Sequence, residues 1–216
     1  MKKIAVILAG CGVYDGAEIN EAVLTLLHIA KAGASYQCFA PDIEQLHTIN
    51  HLSGEQMTPN RNVLVEAARI ARGDIKALTL LDANDFDALI VPGGFGAAKN
   101  LCDFAINGSQ AQLNPEMLRA AKAFANAKKP AGYMCIAPAM IPLIYSAGVK
   151  TTIGNDVDTA NALQSLGAQH IDCAVDDIVI DEQHKLVSTP AYMLAQSILD
   201  ADAGIEKLVA ALLKMS

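Results

Sequence analysis

The chain has 216 residues and a formal net charge of −7, with 52% hydrophobic and 18% charged residues. This length suits one domain with a sizeable core, and so apolar a composition excludes intrinsic disorder. The acidic balance, without a run of basic residues, argues against a nucleic-acid-binding protein.

Short apolar runs alternate with longer segments of helical periodicity along the chain. The first predicted strand, 4–8, ends in the glycine turn 10–12, and a helix follows from Ile19 until shortly before Gly33. The other predicted elements are, in order, a strand at 35–40, a helix at 64–71, a strand at 88–91, a helix at 115–127, a strand at 130–134, a helix at 136–146, a hairpin of 178–180 with 186–188, and a helix from about 192 to 213 with a break near Gly204.

This alternation predicts a doubly wound α/β sandwich with a mainly parallel sheet, formed by one domain over residues 1–216. Two polar stretches, 44–62 and 104–114, lack clear periodicity. We expect them near the functional site or at an interface.

The cysteines bear on the cellular compartment. They are odd in number, scattered and free of C-x-x-C pairs, which predicts unpaired thiols in a reducing compartment: Cys11, Cys38, Cys102, Cys135 and Cys173. The start of the chain imitates a lipoprotein signal, but its apolar run is shorter than the roughly 7–15 residues of a signal core. No run approaches the ~20 apolar residues that span a bilayer. We therefore expect a cytoplasmic protein without a membrane partner.

Cys135 stands between a predicted buried strand and a predicted helix, as in a nucleophile elbow. Ligands of open α/β sheets bind beyond such strand ends. The helix N-terminus is expected to lower the pKa of this thiol, and the Ile136 N–H is placed to meet an oxyanion. A small buried cysteine without function is the alternative.

Pro92-Gly93-Gly94 follows another buried strand and lets backbone N–H groups approach a ligand. Gly94 is the candidate second oxyanion donor, and a plain tight turn is the alternative. Neither this turn nor 10–12 fits the G-x-G-x-x-G dinucleotide fingerprint.

Two carboxyls in the first helix, Glu18 and Glu21, lie near the end of the first strand. A buried carboxyl there would have a raised pKa and could donate a hydrogen bond to a thiolate. The residues alone do not choose between the two, and a solvated or capping role remains open. The five histidines lack metal-ligand spacing, so no metal site is expected.

A glutamate in the first helix, P-G-G after a middle strand and a cysteine at an elbow, in this order, resemble the PfpI/ThiJ superfamily, which is related to the class I glutamine amidotransferases. Longer motifs resemble its ElbB branch, the enhancing lycopene biosynthesis or sigma cross-reacting proteins: G-C-G-V-Y-D-G at 10–16, N-H-L-S-G-E at 50–55, P-G-G-F-G-A-A-K-N at 92–100, M-C-I-A-P-A at 134–139 and T-P-A-Y-M-L-A-Q at 189–196.

The resemblance implies a flavodoxin-like three-layer sandwich, a homodimer and a weak glyoxalase activity without a cofactor. It assigns Cys135 as nucleophile, Glu21 as acid, Gly94 and Ile136 as oxyanion donors, and Gly93 to the substrate-binding residues. The chain departs from the superfamily by having no histidine in 151–156, soon after the elbow helix. This absence argues against a Cys-His pair, a protease and glutamine hydrolysis.

Three functions follow as hypotheses. The first is a slow glyoxalase that converts a small aldehyde substrate, glyoxal, to glycolate through a Cys135 hemithioacetal. The second is an oxidative-stress sensor in which Cys135 becomes a sulfinic acid. The third is a non-enzymatic accessory protein of isoprenoid metabolism.

Overall fold

A seven-stranded sheet with helices on both faces forms the centre of the protein in the computed structural model, which describes residues 1–216. The strands are β1 (Lys3–Ile7), β2 (Ser35–Ala40), β3 (Ile75–Ala77), β4 (Ala88–Val91), β5 (Ala131–Met134), β6 (Lys150–Thr151), β7 (Gln169–His170), β8 (Val179–Asp181) and β9 (Leu186–Thr189). The helices are α1 (Ile19–Lys31), α2 (Val63–Ile70), α3 (Phe104–Asn107), α4 (Pro115–Asn126), α5 (Ile141–Ile144), α6 (Val157–Ser165) and α7 (Ile198–Met215).

The strand order is β3-β2-β1-β4-β5-β9-β8, and β6 pairs with β7 outside this sheet. All neighbours in the large sheet are parallel except the β8–β9 hairpin, which is antiparallel. The predicted flavodoxin-like α/β fold with its C-terminal hairpin is confirmed.

The two faces of the sheet have separate cores, and alternate residues of β1 contribute to each of them. Ile4 and Val6 pack in the cluster that includes α1 and α7 residues, whereas Ala5 and Ile7 pack in the cluster of the opposite face. Because helices cover both faces of the sheet, β1 is apolar and buried from Ile4 to Ile7 rather than alternating.

The structure corrects two predicted helices. The segment 136–146 forms a 3-10 turn at Ala137–Met140 and then only the four residues of α5. The last helix begins at Ile198, because Ser197 and Asp200 form a capping box there.

The expected break near Gly204 is wrong, since α7 runs through this residue. A Cβ at position 204 would lie 2.5 Å from Thr189 Oγ1. The glycine therefore allows the helix to pack closely against β9. No helix is both long and apolar enough to cross a bilayer.

The two polar stretches have short local structure. Segment 44–62 is held by isolated antiparallel bridges, Glu44 with Asn62 and Ile49 with Gln56. Its Ile49 N–H also donates to Asp15 Oδ2 at 2.7 Å. Segment 104–114 contains α3, which borders the cavity described next.

Candidate active site

The carboxyl ends of β1, β4, β5 and β9 meet at one edge of the sheet, and Cys135 follows β5 there. Its backbone is left-handed, with φ of 59°, and its N–H donates to the Thr189 carbonyl at 3.1 Å. Such a conformation is strained for a non-glycine residue, by on the order of 1–3 kcal/mol. Strain of this kind is typical of a nucleophile elbow, because the sharp turn projects the side chain from the strand end.

Glu21 is fully buried on α1 beside this elbow. Its Oε2 accepts the Gly93 N–H at 2.8 Å, and its Oε1 accepts the Tyr192 N–H at 3.1 Å. Glu18 instead caps α1 by accepting the Glu21 N–H at 2.7 Å. The structure therefore separates the two carboxyls: Glu21 faces the thiol, and Glu18 serves the helix end.

Gly93 lies where the Cys135 thiol and the Glu21 carboxyl approach each other. A Cβ at this position would lie 2.4 Å from Cys135 Cβ, 2.8 Å from Glu21 Oε2 and 2.9 Å from Cys135 Sγ. The Gly93 N–H is already used by Glu21. Gly93 thus positions the acid and leaves room for both side chains.

Two backbone N–H groups act on the Cys135 thiol. Those of Gly94 and Ile136 favour the thiolate, which lowers the pKa of Cys135. Gly94 has a left-handed φ of 88°, and a Cβ there would lie 2.4 Å from the Glu18 nitrogen. Only glycine fits this approach between α1 and the elbow.

The net effect on the Cys135 pKa is nevertheless upward. Burial of the thiol is the largest cause, followed by the negative charge of Glu21, and together they raise the pKa well above 9.0. The expectation of a lowered pKa is therefore wrong. The helix after Cys135 is too short to offset burial, and the carboxyl opposes a second negative charge.

The pKa of Glu21 is raised as well, from 4.5 to about 7, mainly by burial and then by the charge of Glu18. Its hydrogen bonds with Tyr192, Gly93 and Cys135 favour the charged form and limit the rise. Above about pH 7, and until the thiol ionises, the two groups together therefore carry one negative charge and share one proton.

A cavity of about 430 Å³ opens onto Cys135. Nine of its eleven lining residues are hydrophobic, and none is a histidine. Sequence reasoning missed most of this wall, since its residues come from separate segments: Val13, Phe95, Ala98, Phe104, Ala105, Thr159, Tyr192 and Met193, beside Gly94, Cys135 and Ile136.

Cys11 does not line this cavity. Burial raises the pKa of its thiol, as do the charges of Glu66 and Asp15, while Arg69 lowers it. No group of three His, Cys, Asp or Glu side chains is placed to hold a metal ion.

No family model matches the sequence. The ES1 protein homolog, mitochondrial, of Rattus norvegicus is 42% identical over 99% of the chain and 84% of its own length. The Homo sapiens glutamine amidotransferase-like class 1 domain-containing protein 3, mitochondrial, is also 42% identical, over 99% of the chain and 83% of its own length. The chain belongs to this ES1, glutamine amidotransferase-like class 1 family.

Two solved structures share the fold of the chain. A crystal structure named isoprenoid biosynthesis protein with amidotransferase-like domain, from Ehrlichia chaffeensis, is 36% identical with a TM-score of 0.93, over 100% of the chain and 99% of its own. A DJ-1 superfamily protein from Salmonella typhimurium shares the fold at 19% identity, with a TM-score of 0.61, over 99% of the chain and 91% of its own. The relation to the class I glutamine amidotransferases that the motifs implied is confirmed by the human relative, and the Salmonella typhimurium protein shows the same fold.

The relatives also correct the expected compartment. The rat and human proteins and a Danio rerio ES1 protein, 35% identical over 88% of the chain, are all named mitochondrial. The expectation of a cytoplasmic protein is therefore wrong. Free thiols indicated only a reducing environment and did not distinguish between compartments that share one.

Proposed function

We propose that the protein is a cofactor-independent glyoxalase that converts small α-oxoaldehydes such as glyoxal to 2-hydroxy acids such as glycolate. One observation carries the proposal: the Cys135 thiol and the Glu21 carboxyl meet beside Gly93, at a strand end where the Gly94 and Ile136 N–H groups favour a negative charge. This arrangement supplies a nucleophile, a proton carrier and an oxyanion site together.

The reaction begins when the Glu21 and Cys135 pair has its proton on the carboxyl. The thiolate adds to one aldehyde carbon, the two N–H groups stabilise the oxyanion, and Glu21 protonates it to give a hemithioacetal. Glu21 then removes the hydrogen of this carbon as a proton and returns a proton to the neighbouring carbon through an enediolate. The carbon bound to sulfur is oxidised to a thioester, and its neighbour is reduced to an alcohol.

Water completes the reaction by cleaving the thioester, which releases glycolate and restores the thiol. No histidine lines the cavity, so the proposal assigns the proton transfers to Glu21. The raised pKa of Cys135 keeps the thiolate fraction small, and we therefore expect slow turnover.

The test compares glycolate formation from glyoxal by the wild type, Cys135→Ala and Cys11→Ala. We expect Cys135→Ala to fall to the uncatalysed rate, because the nucleophile is gone, and Cys11→Ala to keep wild-type activity, because Cys11 lies outside the cavity. Chromatographic quantification of glycolate checks this outcome. Equal activity of wild type and Cys135→Ala would refute the proposal.

The two other hypotheses have weaker support. Sensor cysteines are exposed and have a low pKa, whereas Cys135 is 7% exposed and its pKa is raised. An accessory role in isoprenoid metabolism is supported only by the name of the Ehrlichia chaffeensis protein. That name and the long motifs also support placing the chain in the ElbB branch, which we include in the proposal. The homodimer remains a prediction, and a measurement of the molar mass in solution by light scattering would test it.

A further inference from the structure

We propose that the cavity beside Cys135 contains a subsite for an apolar substituent, so that the preferred substrates are α-oxoaldehydes with an aryl or branched alkyl group rather than glyoxal itself. The inference rests on the proposed function and names its substrate class.

The first argument is size. Glyoxal has only its two aldehyde groups, which fit at Cys135 and the two N–H donors. The cavity has a volume of about 430 Å³, whereas an engineered apolar cavity of about 150 Å³ already binds benzene. Room for at least a phenyl ring therefore remains after the reacting carbons are placed.

The second argument is chemistry. Cys135, Gly94 and Ile136 are the reacting groups that line the cavity, and the rest of the lining consists almost entirely of apolar side chains, among them Phe95, Phe104 and Met193. Water there finds few hydrogen-bond partners, because Thr159 and Tyr192 are the only lining side chains outside the reacting group with a hydroxyl. An apolar substituent that displaces this water is stabilised by the burial of its surface.

The third argument concerns the small residues that keep the space open. Ala98 is buried in the π-helical turn Ala97–Leu101, and Ala105 is exposed on α3 at the cavity wall. We expect a larger side chain at position 105 to narrow the cavity without displacing core residues, because this position lines the cavity and is exposed. Position 105 therefore allows a test of the subsite that leaves Cys135 and Glu21 unchanged.

The substrate that fits this subsite is phenylglyoxal, which would yield mandelate by the same balanced steps. The aldehyde carbon is oxidised to the carboxyl, the ketone carbon is reduced to the alcohol, and water supplies the added oxygen. We expect the wild type to prefer phenylglyoxal over glyoxal in kcat/KM by about 10- to 100-fold, the range in which apolar pockets discriminate.

The experiment measures kcat/KM for both aldehydes in the wild type, Ala105→Leu and Ala127→Leu. Ala127 is an exposed residue at the end of α4 and outside the cavity, so it is the matched control. Ala105→Leu should lower the preference for phenylglyoxal about tenfold and leave glyoxal turnover within about twofold. A wild-type preference for glyoxal, or an unchanged preference in Ala105→Leu, would overturn the subsite.

A binding measurement separates this inference from the proposed activity. We expect mandelate to slow alkylation of Cys135 by iodoacetamide far more than glycolate does, and Ala105→Leu to weaken this protection. If neither aldehyde is turned over but mandelate still protects, the glyoxalase proposal fails and the subsite stands. If mandelate does not protect better than glycolate, the subsite is refuted.

Discussion

Cys11 and Cys135 both follow buried parallel strands at the same edge of the sheet, but the backbone conformation differs at the two positions. At Cys11 the adjacent glycines take the left-handed conformation, with φ of 111° at Gly10 and 134° at Gly12. At the end of β5 the cysteine itself does so, with φ of 59°. The glycine turn therefore bends the chain around Cys11, whereas the elbow projects the Cys135 side chain toward the cavity.

The charges around the two thiols differ in kind. Glu66 and Asp15 only repel the ionised form of Cys11, whereas Glu21 also hydrogen-bonds with Cys135 and can exchange a proton with it. Position at a strand end is therefore not sufficient for a reactive cysteine. The residue must also form the turn itself and have a buried acid beside it.

The largest expected difference between the two turns comes from replacing the carboxyl beside each cysteine. Glu21→Gln should lower kcat for hydroxy acid formation by about 10²- to 10⁴-fold, because the proton carrier is lost. Glu66→Gln, beside Cys11, should leave kcat unchanged. Steady-state assays of both variants, with circular dichroism to verify folding, check this difference. Near wild-type kcat in Glu21→Gln would remove the distinction between the two turns.

A second prediction concerns the pH dependence of thiol alkylation. In the wild type the rate at Cys135 should rise in two steps, one near pH 7 when the pair loses its first proton and one well above pH 9 when it loses the second. Glu21→Gln should show a single step, since only the thiol then ionises. Mass-resolved iodoacetamide kinetics measure both cysteines together, and Cys11 should show one step in either protein.

A profile for Cys135 that has one step in the wild type and does not change in Glu21→Gln would contradict the shared proton. The Cys11 rate, measured in the same samples, controls for changes in reagent reactivity with pH.

The smallest expected effect is on stability. The pKa of Glu21 in the folded protein, about 7, lies above its ordinary value of 4.5. Its contribution to the free energy of unfolding is therefore fully present below pH 4.5 and is lost as the pH rises through 7, by on the order of 3 kcal/mol. Urea unfolding at pH 5 and pH 8 should show Glu21→Gln gaining stability relative to the wild type at the higher pH.

Cys11→Ala is the control for this stability measurement, because the raised pKa of its thiol places titration above this pH range. It should keep the wild-type trend between pH 5 and pH 8. A Glu21→Gln protein with the same trend as the wild type would show that the Glu21 carboxyl does not titrate as proposed.

Several elements could be predicted from the sequence because their signals were local. The strands at 35–40 and 88–91 have the predicted bounds. At 88–91 the signal is a continuous apolar run, which is needed where helices cover both faces of the sheet. Helix α6 was missed because only Leu163 of its residues is buried, which leaves no clear apolar periodicity. The strands β6 and β7 have two residues each, too few for any pattern.

The candidate site shows the same limit. Cys135 and the P-G-G turn could be found because each directly follows a strand. The choice between Glu18 and Glu21 could not be made, since both are buried and only their partners in space differ. The Tyr192 N–H was missed because a backbone donor has no signature in side-chain composition, and its segment was predicted to be helical.

The close approach at Gly93 has a consequence for sequence variation. Any side chain at this position would overlap both Cys135 and Glu21. We therefore expect position 93 to tolerate as few substitutions as position 135, the nucleophile. In a saturation library selected for activity, position 93 would therefore be as intolerant as position 135, although it contributes no side-chain atom to the chemistry.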